Sequence, residues 1–96
     1  MAIISFDGFW KYYDATTRKD NSGYRKCFRD CFYQALVDMD MIDTRHPGDW
    51  PGWDWISKNA TKICAKVRVK MLSKGVPESA VKQINEKFKK WVKEMY

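Results

Sequence analysis

Apolar side chains recur at helical spacing along most of the chain. Phe6, Phe9, Trp10 and Tyr13 stand at i, i+3, i+4 and i+7, which predicts a short helix A over residues 6–16. Ser5 is suited to cap it, with Ile4 and Phe9 forming a hydrophobic staple. The polar run Thr16-Thr17-Arg18-Lys19-Asp20-Asn21-Ser22-Gly23 breaks the pattern. From Tyr24, apolar residues at 24, 27, 28, 31, 32, 35, 36 and 39 form a stripe that ends near Met41, the signature of a longer helix B. Residues 42–52 have the Pro, Gly and Asp content of a structured loop. Helix C is predicted to start between Asp49 and Trp53, with Trp53, Ile56, Ala60, Ile63, Cys64, Val67 and Met71 inward, and to stop at Ser73-Lys74-Gly75. Pro77 is suited to open helix D, whose stripe is Val81, Ile84, Phe88, Trp91, Val92 and Met95.

The predicted fold class is therefore all-α: a compact bundle of one short and three longer helices, with helix C central. Its one strand candidate, Ala2–Phe6, is short enough to be an edge at most. Helix C carries a second apolar face at Ala65, Val69 and Leu72, and a helix with two apolar faces needs two neighbours. Helix A is the expected cover; an exposed groove for a partner helix or a second copy is the alternative.

Length and composition narrow the class. Ninety-six residues correspond to a single helical domain, 1–96, and a chain of this size buries roughly two-thirds of its surface on folding. No segment approaches 18 consecutive apolar residues, so no membrane span is expected. The start Met1-Ala2-Ile3-Ile4-Ser5-Phe6 lacks a basic segment and soon meets Asp7 and Lys11, unlike a secretory signal. Three cysteines, an odd number, then imply free thiols and a cytoplasmic, reducing setting, in which the sequon Asn59-Ala60-Thr61 has no consequence.

The net charge is +6, and residues 57–75 alone account for it: Lys58, Lys62, Lys66, Arg68, Lys70 and Lys74, with no acid among them. Five of these are lysines four residues apart, so on a helix they form a slowly spiralling ridge beside the core face. Like charges at that spacing repel, by roughly 0.2–0.5 kcal/mol per neighbouring pair, which solubility alone does not require. The ridge implies an acidic partner: an acidic protein surface, a nucleoprotein complex or nucleic acid itself. With one arginine in the run, bidentate reading of bases is disfavoured.

Three of the five tryptophans, the only histidine and Arg45 fall in or beside the loop Asp43–Trp55. Tryptophan is enriched at interface hot spots, so Trp50 and Trp55, off the helix C core stripe, are candidate contact residues together with Arg45, whereas Trp53 belongs to the core. The partner-binding candidates are thus Lys58, Lys62, Lys66, Arg68, Lys70, Trp50, Trp55 and Arg45. Cys27, Cys31, Cys64 and His46 have the right types for a zinc site but no diagnostic spacing, and the cysteines lie on inward faces. No metal, cofactor or catalytic residue is assigned, and no enzymatic activity is expected.

The stretch from Met71 through Gly75-Val76, Val81 and Ile84 resembles the turn of a helix-turn-helix, with a glycine, an apolar neighbour and two further apolar residues at the motif's spacing. The resemblance covers about 15 residues and departs from the motif at Met71, Lys70 and Lys74. It implies that Glu78, Ser79, Lys82 and Gln83 face a DNA major groove. An ordinary helical hairpin with a Gly stop and a Pro start gives the same residues. The functional expectation is a small non-enzymatic binding protein that occupies or inhibits a macromolecular partner, in the manner of phage and mobile-element accessory proteins. Direct nucleic-acid binding is the alternative, and a homo-oligomer is compatible with either.

Overall fold

The computed structural model describes residues 6–17, 22–46 and 50–96. Five α-helices follow in order: α1 (Asp7–Thr16), α2 (Arg25–Asp38), α3 (Trp53–Lys58), α4 (Ala60–Ser73) and α5 (Glu78–Met95). A single 3-10 turn, Ser22–Tyr24, leads into α2, and there is no strand among the described residues. The cap at Ser5, the staple through Ile4 and the strand candidate at the N-terminus involve residues outside those described.

The hydrophobic stripes become the core, apart from Met95 of the helix D stripe, which is 60% exposed at the end of α5 where the helix has run past the bundle's buried side chains. Phe6, Phe9, Trp10 and Tyr13 are buried at α1, and Phe28, Cys31, Phe32, Ala35 and Leu36 on α2. Ile63, Cys64, Val67 and Met71 of α4 and Val81, Ile84, Phe88, Trp91 and Val92 of α5 complete it. Phe88 lies at the centre, fully buried, with ring centroids 5.2 Å from Phe9, 5.6 Å from Phe28 and 5.1 Å from Phe32. Edge-on and tilted pairs at these distances add to what area burial contributes.

The expected helix C is divided. At Asn59 the backbone leaves ideal helical geometry, and both its N–H (3.1 Å) and its side-chain Nδ2 (2.9 Å) donate to the Trp55 carbonyl. Asparagine competes in this way for backbone acceptors and interrupts helices. A six-residue α3 results, which packs on α5, while α4 packs between α2 and α5.

Helix α1 does not cover the second face of α4. It packs on α5, where Gly8 permits the close approach: a Cβ there would lie 3.3 Å from the Trp91 ring. Polar contacts also hold it. Arg25 at the start of α2 donates to both Asp14 carboxylate oxygens (2.7 and 2.8 Å) and lies 5.0 Å from the Trp10 ring centroid. Gln83 Nε2 donates to Thr17 Oγ1 (2.7 Å), and Lys87 Nζ to the Thr16 carbonyl (3.1 Å).

Helices α2 and α4 end alike. The Met41 N–H reaches the Leu36 carbonyl and the Asp40 N–H that of Val37; Val76 and Gly75 donate in the same way to Met71 and Leu72. These are Schellman endings, which need a left-handed residue after the last helical turn. Gly75 (φ 85°) meets that need without strain and Asp40 (φ 59°) with some.

Phe88→Ala should lower stability by about 3–5 kcal/mol, as large aromatic truncations in cores do, and Gly75→Ala by about 1–2 kcal/mol. Asp40→Gly should leave stability unchanged or raise it. Denaturant titration of the three variants tests this, and a Phe88→Ala loss below 1 kcal/mol would remove Phe88 from the centre of the fold.

Candidate functional site

Helix α4 turns its core residues toward α2 and α5 and its remaining side chains to solvent. Across that outer face Val69 stands at the crown, 64% exposed, with exposed Ala65 and half-buried Leu72 beside it. Lys62, Lys66 and Lys70 follow on the α2 side, as four-residue steps on a helix require, and Arg68 lies on the α5 side. Exposed Lys58 stands at the end of α3, before the row.

The basic residues are not equivalent. Lys70 Nζ lies 2.6 Å from Asp38 Oδ2 at the end of α2. The hydrogen bond from Lys70, with the nearby charge of Lys66, holds the Asp38 carboxyl below its ordinary range. Arg68 donates to Glu78 Oε1 at 3.0 Å. Lys58, Lys62, Lys66 and Lys74 form no ion pair among the described residues. Lys58, Lys62 and Lys66 thus carry charge outside any ion pair, with Lys74 apart at the far end of α4.

Shallow grooves flank the outer face. One, toward α2, is lined by Asp38, Ala65, Lys66, Val69 and Lys70. The other, between α4 and α5, is lined by Thr61, Cys64, Arg68, Glu78, Lys82 and Asn85 among others. Asn85 is buried there and was not part of the helix D stripe; its Nδ2 donates to the Cys64 carbonyl (3.3 Å) while its Oδ1 has no hydrogen-bond partner among the described residues.

The loop candidates lie apart from α4's basic row in character. Trp50 is half-buried, stacked at 6.3 Å on Phe32, 5.7 Å from Tyr33 and 5.9 Å from the Arg29 guanidinium. Trp55 is half-buried against the core. Trp53 is half-buried as well, with Phe6, Phe88, Trp91 and Tyr96 around its ring. Arg45 is exposed, but its guanidinium is held by both carboxylate oxygens of Asp43, whose carboxyl is lowered by those bonds. His46 is exposed, and residues 47–49 lie outside those described.

The cysteines are placed as hydrophobes. Cys31 and Cys64 are buried, and Cys27 is half-buried with its Sγ 3.9 Å from that of Cys31. Burial, with Cys27 nearby, pushes the Cys31 thiol up to about 11, and burial pushes Cys64 to about 12. Both stay protonated at neutral pH, unlike activated nucleophiles or metal ligands. No cluster of three or more potential ligands suited to a metal ion occurs among the described residues, nor is any of their helices long and apolar enough to cross a membrane.

Of the residues that the helix-turn-helix resemblance assigned to a DNA groove, Glu78 is engaged by Arg68 and Gln83 by Thr17. The chain matches no protein-family model, no curated protein and no solved structure.

The thiols give a pH test. In the folded chain Cys31 and Cys64 keep their protons to higher pH than in the unfolded chain, where thiols titrate near the ordinary 9.0. Their contribution to stability is complete below pH 9 and is lost as pH rises through about 11 and 12. Denaturation midpoints should therefore fall steadily above pH 9, and a disulfide reagent at pH 8 should label Cys27 well before Cys31 and Cys64. Equal labelling of all three thiols in the native protein would contradict this placement.

Proposed function

We propose that this chain is a non-enzymatic binding protein that acts by occupying an acidic macromolecular partner through the outer face of α4. The observation that carries the reading is the exposed row Lys58, Lys62 and Lys66, without ion pairs among the described residues, in a segment without a single acid. Repulsion along such a row is an uncompensated cost to the free protein, and an acidic surface relieves it. Charges of this kind steer encounters within roughly 8–10 Å, about one Debye length at physiological salt. Paired Arg68 and Lys70 fix the edges of the face, while the protonated Cys31 and Cys64 offer no activated nucleophile.

In this reading the protein works by steric occupation, as accessory and inhibitor proteins of phages and mobile elements do. Trp50, Trp55 and Arg45 belong to a secondary rim. Trp50 keeps part of its ring at the surface beneath Arg29, and Arg45 must exchange Asp43 for a partner carboxylate before it can contribute.

The triple variant Lys58→Gln, Lys62→Gln, Lys66→Gln should retain the fold, because all three side chains are exposed. Capture of partners from lysate of the source cell should fall at low salt, and the remainder should depend less on ionic strength than capture by the unaltered protein. Nuclease treatment separates the partner classes: capture abolished by nuclease means nucleic acid, and capture that survives means protein. Unchanged capture by the variant at low salt would return the row to a role in solubility.

A further inference from the structure

Resting on that reading, we infer that the partner presents an amphipathic helix, with an apolar seam that lies on Ala65, Val69 and Leu72 and an acidic edge that meets Lys62 and Lys66. Charge on α4 specifies only an acidic partner; the crown of the same face specifies more. Val69 is the most exposed of the large hydrophobic residues among those described, and Lys62, Lys66, Arg68 and Lys70 stand near it on the same helix. Ala65 and Leu72 extend the apolar strip to seven residues along the helix axis, about 10 Å or two turns. A strip of that length and width matches residues at i, i+3 or i+4 and i+7 of a second helix, and small Ala65 allows the two backbones to approach.

The two edges differ, and that difference orients the occupant. On the α2 side the strip is bordered by Lys62 and Lys66, with the groove of Asp38, Ala65, Lys66, Val69 and Lys70 as its margin. On the α5 side Arg68 is already neutralised by Glu78. The acidic residues of the docked helix therefore lie along one edge, facing α2, and its other edge is neutral or mixed.

Other occupants fit less well. A second copy of this chain would bring two lysine rows together, and like charges across an interface are repulsive. Nucleic acid phosphates would be satisfied by the lysines, but Ala65, Val69 and Leu72 would then be pressed against a hydrated, charged backbone, and this face of α4 has no aromatic ring on which a base could stack.

The test uses the full chain and three fluorescent probes: an 18-residue helical peptide with leucines on one face and glutamates along one adjacent edge, a scrambled peptide of identical composition, and a duplex oligonucleotide. Anisotropy titrations should show the patterned peptide binding at least about tenfold tighter than the scrambled one. Val69→Gln should weaken the patterned peptide by about tenfold without altering the salt dependence, whereas Lys62→Gln with Lys66→Gln should flatten that dependence. Amide chemical-shift changes should centre on residues 62–72. Equal binding of patterned and scrambled peptides, or insensitivity to Val69→Gln, overturns the helical partner and leaves the acidic-partner reading intact. Tighter binding of the oligonucleotide than of the patterned peptide overturns it in favour of nucleic acid. If the lysine variant alters binding of none of the probes, the acidic-partner reading itself fails.

Discussion

Packing around the Phe88 ring is the constraint on which the other contacts depend. Rings from α1 (Phe9), from the residue before it (Phe6), from α2 (Phe28 and Phe32), from α3 (Trp53) and from α5 itself (Trp91) all lie within 6.3 Å of it. No strand ladder joins these helices among the described residues, so their relative placement is set by how rigid, flat side chains fit one another. Aromatic cores tolerate little sliding, because a ring displaced by a few ångströms exchanges an edge-to-face contact for a clash or a void. The short α3 is held by Trp53, which reaches this centre, and by Ile56, which is fully buried in the core.

That arrangement also explains why α4 is left with a bare side. Helix α5 is the element that α1, α3 and α4 share, and α4 packs mainly between α2 and α5, with α3 at its start. The aromatic residues of α1 draw it to Phe28, Phe88 and Trp91, at a distance from Val69. Basic residues and a small apolar strip consequently occupy a surface that no other part of the described chain covers.

Much of the architecture could be read from residue spacing. The stripes of α1, α2 and α5 and the glycine stop at Gly75 correspond to observed elements because each rests on a local rule: helical period or the need for a left-handed residue. What spacing could not provide was the partner of each face. The Ala65, Val69 and Leu72 face called for a neighbour, and nothing in periodicity says which helix packs where. Asn59 was hidden for another reason: its interruption arises from one side chain competing for the Trp55 carbonyl, in a segment whose apolar pattern continues across it. The lysine row was plain in the sequence, but the neutralisation of Lys70 and Arg68 was not, since Asp38 and Glu78 lie 32 and 10 positions away. Trp50 read as a loop contact residue, and its stacking on Phe32, a contact made across 18 residues of chain, was not legible from spacing.

The buried amide of Asn85 bears on how accurately that surface is positioned. Apolar side chains between two helices fill space without fixing a phase, so a helix can shift along its neighbour and still be packed. A single amide bonded to the Cys64 carbonyl favours one alignment, since moving α5 by a turn would part Nδ2 from that carbonyl. Asn85 thus acts as an index mark between α4 and α5, and through α4 it sets where the basic row stands relative to the rest of the molecule.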